Sequence, residues 1–214
     1  MKRSRIIVTA ALLLRCVACD APGPASVPVR SSVAPPPSAA PPSAAAAPPP
    51  RATPVGSWET ACVNKAKTRI RYDEALALLG TYTFYADGGC TLATSVNTWT
   101  GHAELGEDQP GARKITVHFD SFRSLPLVEA GVASMNANAY CGFKDWTMGA
   151  ERDVLGLKCY GFSIPKGGQS LDIFAVSGSK LRFGKGSKII ASPKESDRPT
   201  ELSEGGAFER SSGL

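Results

Sequence analysis

The sequence predicts a mostly β protein, an antiparallel barrel or sandwich with one or two short helical insertions, carried behind a signal peptide and a disordered Pro/Ala linker. Three observations predict it. The first 18 residues read as a targeting segment, the next stretch is too poor in bulky apolar residues to fold, and the remainder is a series of short alternating runs separated by glycine-rich turns.

Met1–Arg5 carries three positive charges, and Ile6–Leu14 is apolar apart from Thr9. That run is too short for a bilayer-spanning helix but suits the core of a signal peptide. It is followed by Arg15-Cys16-Val17-Ala18-Cys19, in which small residues precede a cysteine. The pattern resembles a bacterial lipobox, which makes Cys19 the expected lipid-attachment residue and 1–18 the expected signal peptide. Cys16 stands where leucine is usual and Arg15 is a charge close by. The alternative is ordinary cleavage and secretion. Lipidation places the protein in the cell envelope, its partner being a membrane, inner or outer. Asp20 after the cysteine does not settle which.

Residues 19–55 form the expected linker. From Asp20 to Val55 there are twelve of the chain's seventeen prolines, ten alanines and no aromatic residue. Such a segment cannot bury enough apolar surface to offset the entropy of ordering it. One domain is therefore expected at 56–210, with a short tail at 211–214. A domain of roughly 155 residues can bury about two thirds of its chain surface.

The formal charge of +5 is misleading, because Lys2, Arg3, Arg5 and Arg15 lie in the targeting segment. Without them 20 basic residues face 19 acidic ones. No dense basic footprint remains, which argues against nucleic acid as a partner. The mild cluster Lys65, Lys67, Arg69 and Arg71 reads as a solvated edge.

Beyond Cys19 the cysteines are Cys62, Cys90, Cys141 and Cys159, spaced by 28, 51 and 18 residues. An even set in an exported domain predicts two disulfides, with three possible pairings. Structural zinc is not expected, because spacings of 28, 51 and 18 residues leave these four without a close C-x-x-C pair.

Within the domain, Val55–Cys62 alternates around Trp58, and Thr81–Ala86 is aromatic and β-favouring. Asp87-Gly88-Gly89 marks a turn, and a Thr/Val-rich run follows from Cys90 toward Leu105. Gly106–Gly111 reads as a loop. Lys114–Phe122 alternates, with Ile115, Val117 and Phe119 on one face and Thr116, His118 and Asp120 on the other. Leu171–Val176 and Lys180–Phe183 flank a turn and predict a late hairpin. Two helices are expected: Tyr72–Leu79, capped by Asp73 and stopped by Gly80, and Leu125–Ala139, with Pro126 near its start.

Four motifs carry a resemblance. Gly56–Cys62 reads G-x-W-x-T-x-C, and Phe84–Cys90 places Phe-Tyr, Asp and Cys in the order F-Y-x-D-x-x-C. Asp172–Gly184 reads DIFAVSGSKLRFG, and Arg198–Leu202 reads R-P-T-x-L ahead of Phe208-Glu209-Arg210. In this order they are similar to bacterial lipocalin-like lipoproteins. The resemblance implies an antiparallel lipocalin-like barrel whose tryptophan plugs the closed end. It also implies pairing of Cys62 with Cys90, leaving Cys141 for Cys159. It implies fold and place more than an activity. Leu125–Ile164 has no counterpart in it.

No catalytic constellation is evident, so no enzyme and no cofactor are expected. The two histidines, His102 and His118, could serve a metal only with an acid beside them; exposed or hydrogen-bonded roles are the expectation, and no metal is. Two S-x-x-K matches, Ser163–Lys166 and Ser177–Lys180, lack the partner motifs of acylating enzymes. Tyr82, Phe84, Trp99, Phe119 and Phe174 are the candidate ligand-binding residues of a cavity for a small apolar ligand or lipid. Their competing role is to fill a core. The function expected is thus a tethered, non-enzymatic binding domain, or alternatively a structural or interaction lipoprotein with a filled barrel. Ligand identity and oligomeric state are not legible.

Overall fold

The computed structural model describes residues 51–159 and 163–212. The signal peptide, Cys16, Cys19 and nearly all of the linker lie outside them. The described residues form nine strands and one α-helix: β1 (Gly56–Glu59), β2 (Ala66–Tyr72), β3 (Ala77–Tyr85), β4 (Ala93–Gln109), β5 (Ala112–Pro126), α1 (Glu129–Ala137), β6 (Arg152–Asp153), β7 (Gln169–Ser177), β8 (Lys180–Phe183) and β9 (Phe208–Arg210). Short 3-10 turns occupy Tyr140–Gly142 and Glu195–Asp197. The strand order is β4-β3-β2-β1-β9-β8-β7-β5, and β4 pairs with β5 to close the ring. The fold is therefore an eight-stranded antiparallel barrel, with β6 added to the edge of β5 beyond β7.

Period-two alternation decides what points inward. Ile70 and Tyr72 on β2, Leu78 on β3, Ala103 on β4, Ile115 and Val117 on β5, and Phe174 and Leu181 on β7 and β8 form one buried cluster around Trp58. Trp58 is fully buried, and its indole N–H donates to the Pro54 carbonyl at 2.6 Å. The Arg210 guanidinium lies 4.3 Å from the centre of its ring, a cation–π contact between the first strand and the last. Pro54 is itself fully buried and Arg113 donates to the Ala52 carbonyl, so packing starts ahead of Gly56.

Register lines up Trp58, Ile70, Gly80, Trp99 and Phe122 in one row across five strands. Gly80 is essential to that row, because a Cβ there would lie 2.0 Å from the Trp99 ring. A bulge on β5 follows: Thr100 pairs with Ser121 but Gly101 with Phe119, which leaves Asp120 as the extra residue. The inward face, Ile115-Val117-Phe119, resumes after it at Phe122 and Ser124.

The motifs of the C-terminal half converge on one clasp. The buried Asp172 carboxylate accepts the Ile173 and Gly184 N–H groups at 2.7 and 2.9 Å. Arg198 donates to the carbonyls of Ile115 and Asp172, which face each other across β5 and β7. Pro199 packs where a side chain at Gly184 would stand. Burial, above all, pushes the Asp172 carboxyl upward, against its hydrogen bonds and the Arg198 charge. Burial and then the Asp172 charge drive the Tyr72 hydroxyl well above its ordinary range.

Both expected disulfides are present, Cys62–Cys90 and Cys141–Cys159. The helix expected at Tyr72–Leu79 is instead the end of β2, a turn, and the start of β3. Asp73 caps a turn, its Oδ1 accepting the Ala75 and Ala77 N–H groups at 2.9 Å, and Leu76 takes a φ of +62°. Alternation wins over helical spacing there because Leu78 is buried while Leu79 is exposed. Gly80, read as a helix stop, is the vacancy for Trp99. The second expected helix is shorter, since β5 runs on to Pro126 and α1 begins at Glu129. Gly106–Gly111 is mostly strand, with only Pro110 and Gly111 in the turn.

Gly101 provides a test of the bulge. A Cβ at Gly101 would stand 2.0 Å from the His118 carbonyl oxygen, whereas Gly88 has nothing within 4 Å. Gly101→Ala should destabilise the domain by about 2–4 kcal/mol, through overpacking against backbone that cannot retreat. Gly88→Ala should be neutral to within about 0.5 kcal/mol. Urea unfolding of both variants checks the contrast.

Candidate functional site: the open half of the barrel

The barrel has two unlike ends. Turns joining β2 to β3, β4 to β5 and β7 to β8 lie at one end, over the Trp58 cluster. At the other end the chain leaves β5 and travels through α1, the 3-10 turn and β6 before entering β7. This excursion has its own core of Met135, Cys141, Trp146, Val154, Cys159 and Ile164, which packs on Phe122 of the barrel. Cys141–Cys159 pins its middle. Asn136 fixes Trp146 by accepting its backbone N–H at 2.7 Å and donating to its carbonyl at 3.1 Å. Arg152 lies over the rings of Phe143 and Trp146 and pairs with Asp145 at 2.7 Å, which holds the Asp145 carboxyl below its ordinary range.

Between barrel and excursion is a cavity of about 780 Å³. Four of the five expected ligand residues line it: Tyr82 and Phe84 from β3, Trp99 from β4 and Phe119 from β5. Phe174 does not. It is fully buried in the packed half beside Trp58, because its register partner is Arg113, near the turn at the closed end of β5. The aromatics thus take both roles proposed for them, as Trp99 and Phe119 also pack on the two cores that flank the cavity.

The lining holds polar groups that sequence reasoning missed. Ser95 and Asn97 are buried on the same inward face as Trp99. Counting back from Trp99 by twos would have found them. Tyr140, Met135, Ser134 and Asn138 arrive from the excursion, and no periodicity signals that. A buried chain of hydrogen bonds ties the two parts together: Ser124 Oγ donates to Asn97 Oδ1 at 2.7 Å, and Asn97 Nδ2 donates to the Tyr140 hydroxyl at 2.8 Å. Burial raises the Tyr140 hydroxyl above its ordinary range, more than the hydrogen bonds from Asn97 and Ser124 lower it.

Among the described residues the lining contains no Asp, Glu, Lys, Arg or His. Its described side chains thus carry no formal charge at neutral pH. What it offers is apolar and aromatic surface with a few fixed hydroxyl and amide groups, the usual make-up of a small-molecule binding cavity. Of the S-x-x-K pairs, Ser177 and Lys180 stand apart from it as register partners at the β7–β8 turn; Ser163 and Lys166 are not lining residues, though Ile164 beside Ser163 is. His102 and His118 face outward from β4 and β5, on the far side of the wall from Trp99 and Phe119. No protein family matches this chain, and no curated protein does.

The hydrogen-bond chain makes a prediction. Tyr140→Phe removes the acceptor of the buried Asn97 amide and leaves that donor unpaired. Stability should fall by about 1–3 kcal/mol, the penalty of one unsatisfied buried polar group. Asn97→Leu combined with Ser124→Ala in the same background should recover part of the loss, because together they remove the orphaned amide and the Ser124 hydroxyl that depended on it. Chemical denaturation of the two variants measures both effects.

Proposed function

We propose that this protein is an envelope-tethered, non-enzymatic binding protein of the lipocalin-like lipoprotein kind. Its barrel takes up a small, largely apolar molecule or lipid. The observation that carries the reading is the cavity of about 780 Å³ at one end of a barrel whose other end is packed solid. An eight-stranded barrel is just wide enough either to fill with side chains or to hold one small ligand, and this one does each in a different half.

The lining narrows the ligand. With no Asp, Glu, Lys, Arg or His among the described lining residues, a charged group would be desolvated there without a counter-charge. The part of the ligand that enters is therefore uncharged. Tyr82, Phe84, Trp99 and Phe119 favour a flat or unsaturated body, and Tyr140 and Asn97 suit a single hydroxyl or carbonyl. The filled-barrel alternative, a purely structural or interaction lipoprotein, has no comparable observation behind it.

Support for the family reading comes from what its motif residues do. Trp58 and Arg210 meet at the closed end, and Asp172, Gly184 and Arg198 meet in one clasp. The lipid tether at Cys19 rests on the lipobox-like residues of the sequence alone.

Two experiments test the two halves of the proposal. The neutral fluorescent probe N-phenyl-1-naphthylamine should bind the wild-type chain with micromolar affinity. Ser95→Phe, which drives a ring into the cavity, should weaken binding at least tenfold while the melting temperature shows a folded domain. Equal binding by both would remove the cavity from the reading. Separately, Cys19→Ser should move the protein from the membrane fraction to the soluble fraction with the domain still folded. An unacylated N-terminal peptide by intact mass would make the protein a secreted one.

A further inference from the structure

The chain has two histidines, and the fold sets them side by side. His102 on β4 and His118 on β5 are directly opposed in the register, on the outer face of the barrel. Their rings stack with centroids 4.6 Å apart and planes within 2°. Glu104, two residues along the same face of β4, brings Oε1 to 3.6 Å from His118 Nε2. Asp120, the bulge residue, brings Oδ2 to 3.8 Å from His102 Nδ1. One ligand atom from each of His102, Glu104 and His118 falls within a span of 4.8 Å.

The His118 Nε2 atom is the second observation. It is shut off from solvent and has no hydrogen-bond partner among the described residues. Buried ring nitrogens are nearly always paired, so an unpaired one facing a carboxylate asks for an explanation. The flanking register partners on β3 and β7 are Ala77 and Gln169, both uncharged. Arg198 reaches Thr116, which opposes Glu104, but it is engaged by Glu195.

We propose that His102, His118 and Glu104 form a binding site for a divalent transition-metal ion of the Zn²⁺ type. Two imidazoles and one carboxylate select borderline metals over Mg²⁺ and Ca²⁺, which want oxygen alone. Asp120 lies on the Nδ1 side of His102 at 3.8 Å, where closing to a hydrogen bond would turn Nε2 toward the ion, as carboxylates do behind metal-bound histidines. Tetrahedral zinc with bonds of about 2.0–2.2 Å needs its ligand atoms about 3.3 Å apart. The stacked rings must therefore tilt together. His102 is half exposed and Glu104 mostly so, which leaves both free to move toward the fixed His118. A water completes the fourth position. The ion would bolt β4 to β5 behind the stretch of wall that carries Trp99 and Phe119, a site independent of the ligand cavity.

The test is titration of the untagged, oxidised full chain with Zn²⁺ by calorimetry and with Co²⁺ by visible absorption. One equivalent of Zn²⁺ should bind with micromolar affinity. The Co²⁺ complex should give tetrahedral or five-coordinate d–d bands without the thiolate charge-transfer band that Cys16 or Cys19 would produce. His102→Ala and His118→Ala should each weaken Zn²⁺ binding at least tenfold, and Glu104→Gln several-fold, while Ser121→Ala on the same face should leave it unchanged. His102 is exposed enough that its loss does not threaten folding, which circular dichroism verifies. Zn²⁺ affinity equal in wild type and His102→Ala, or no binding below millimolar Zn²⁺, would overturn the site.

Discussion

The interior of this barrel depends on one vacancy. Trp58, Ile70, Gly80, Trp99 and Phe122 occupy one row, and eight strands leave too little width for two indoles and a phenyl ring unless a neighbour gives up its side chain. Gly80 does so, and the Trp99 ring lies over its backbone. Trp99 thereby becomes a partition. On one side lies the cluster around Trp58, and on the other lie the cavity and the core of the excursion. Any side chain at position 80 would push the indole into the cavity or the packed half, and the division between a solid and a hollow end would go with it.

The hollow end is built differently from the solid one. The solid half relies on strand alternation and on the Trp58–Arg210 contact. The hollow half relies on covalent and polar fixings: Cys62–Cys90 at its rim, Cys141–Cys159 in the excursion, and the Ser124–Asn97–Tyr140 chain between them. That division follows from the physics of a cavity. Where side chains do not fill the interior, dispersion contacts are lost, and cross-links and buried hydrogen bonds hold the walls instead.

Much of this was legible in the residues. Alternation in Lys114–Phe122 and the late hairpin placed strands where they are, and the motif resemblance placed Trp58 and the cysteine pairs. The errors share a cause. Tyr72–Leu79 has leucines at spacings that suit a helix as well as a strand, and its direction was decided by Trp99, a residue far along the chain. Phe174 carries the same β-favouring aromatic signal as Phe84, and only register tells that one faces the packed half and the other the cavity. The histidine cluster was hidden for a similar reason. His102 and His118 are sixteen positions apart in the chain, and their meeting depends on the β4–β5 turn and on the register shift between Leu105 and Asp108. Local pattern reports which face a residue occupies. It does not report which residue stands opposite.

The contact between Trp58 and Arg210 also bears on when the barrel can form. Most neighbouring strands follow one another along the chain, so hairpins from β2 through β5 can assemble as soon as they are made. The ring, however, is completed by β9, a strand of three residues near the C-terminus, inserted between β1 and β8. Until those residues leave the ribosome the sheet is an open ribbon with two unpaired edges, and Trp58 has no cation over its face. A nascent chain of this design cannot close prematurely. It shuts only when β9 arrives.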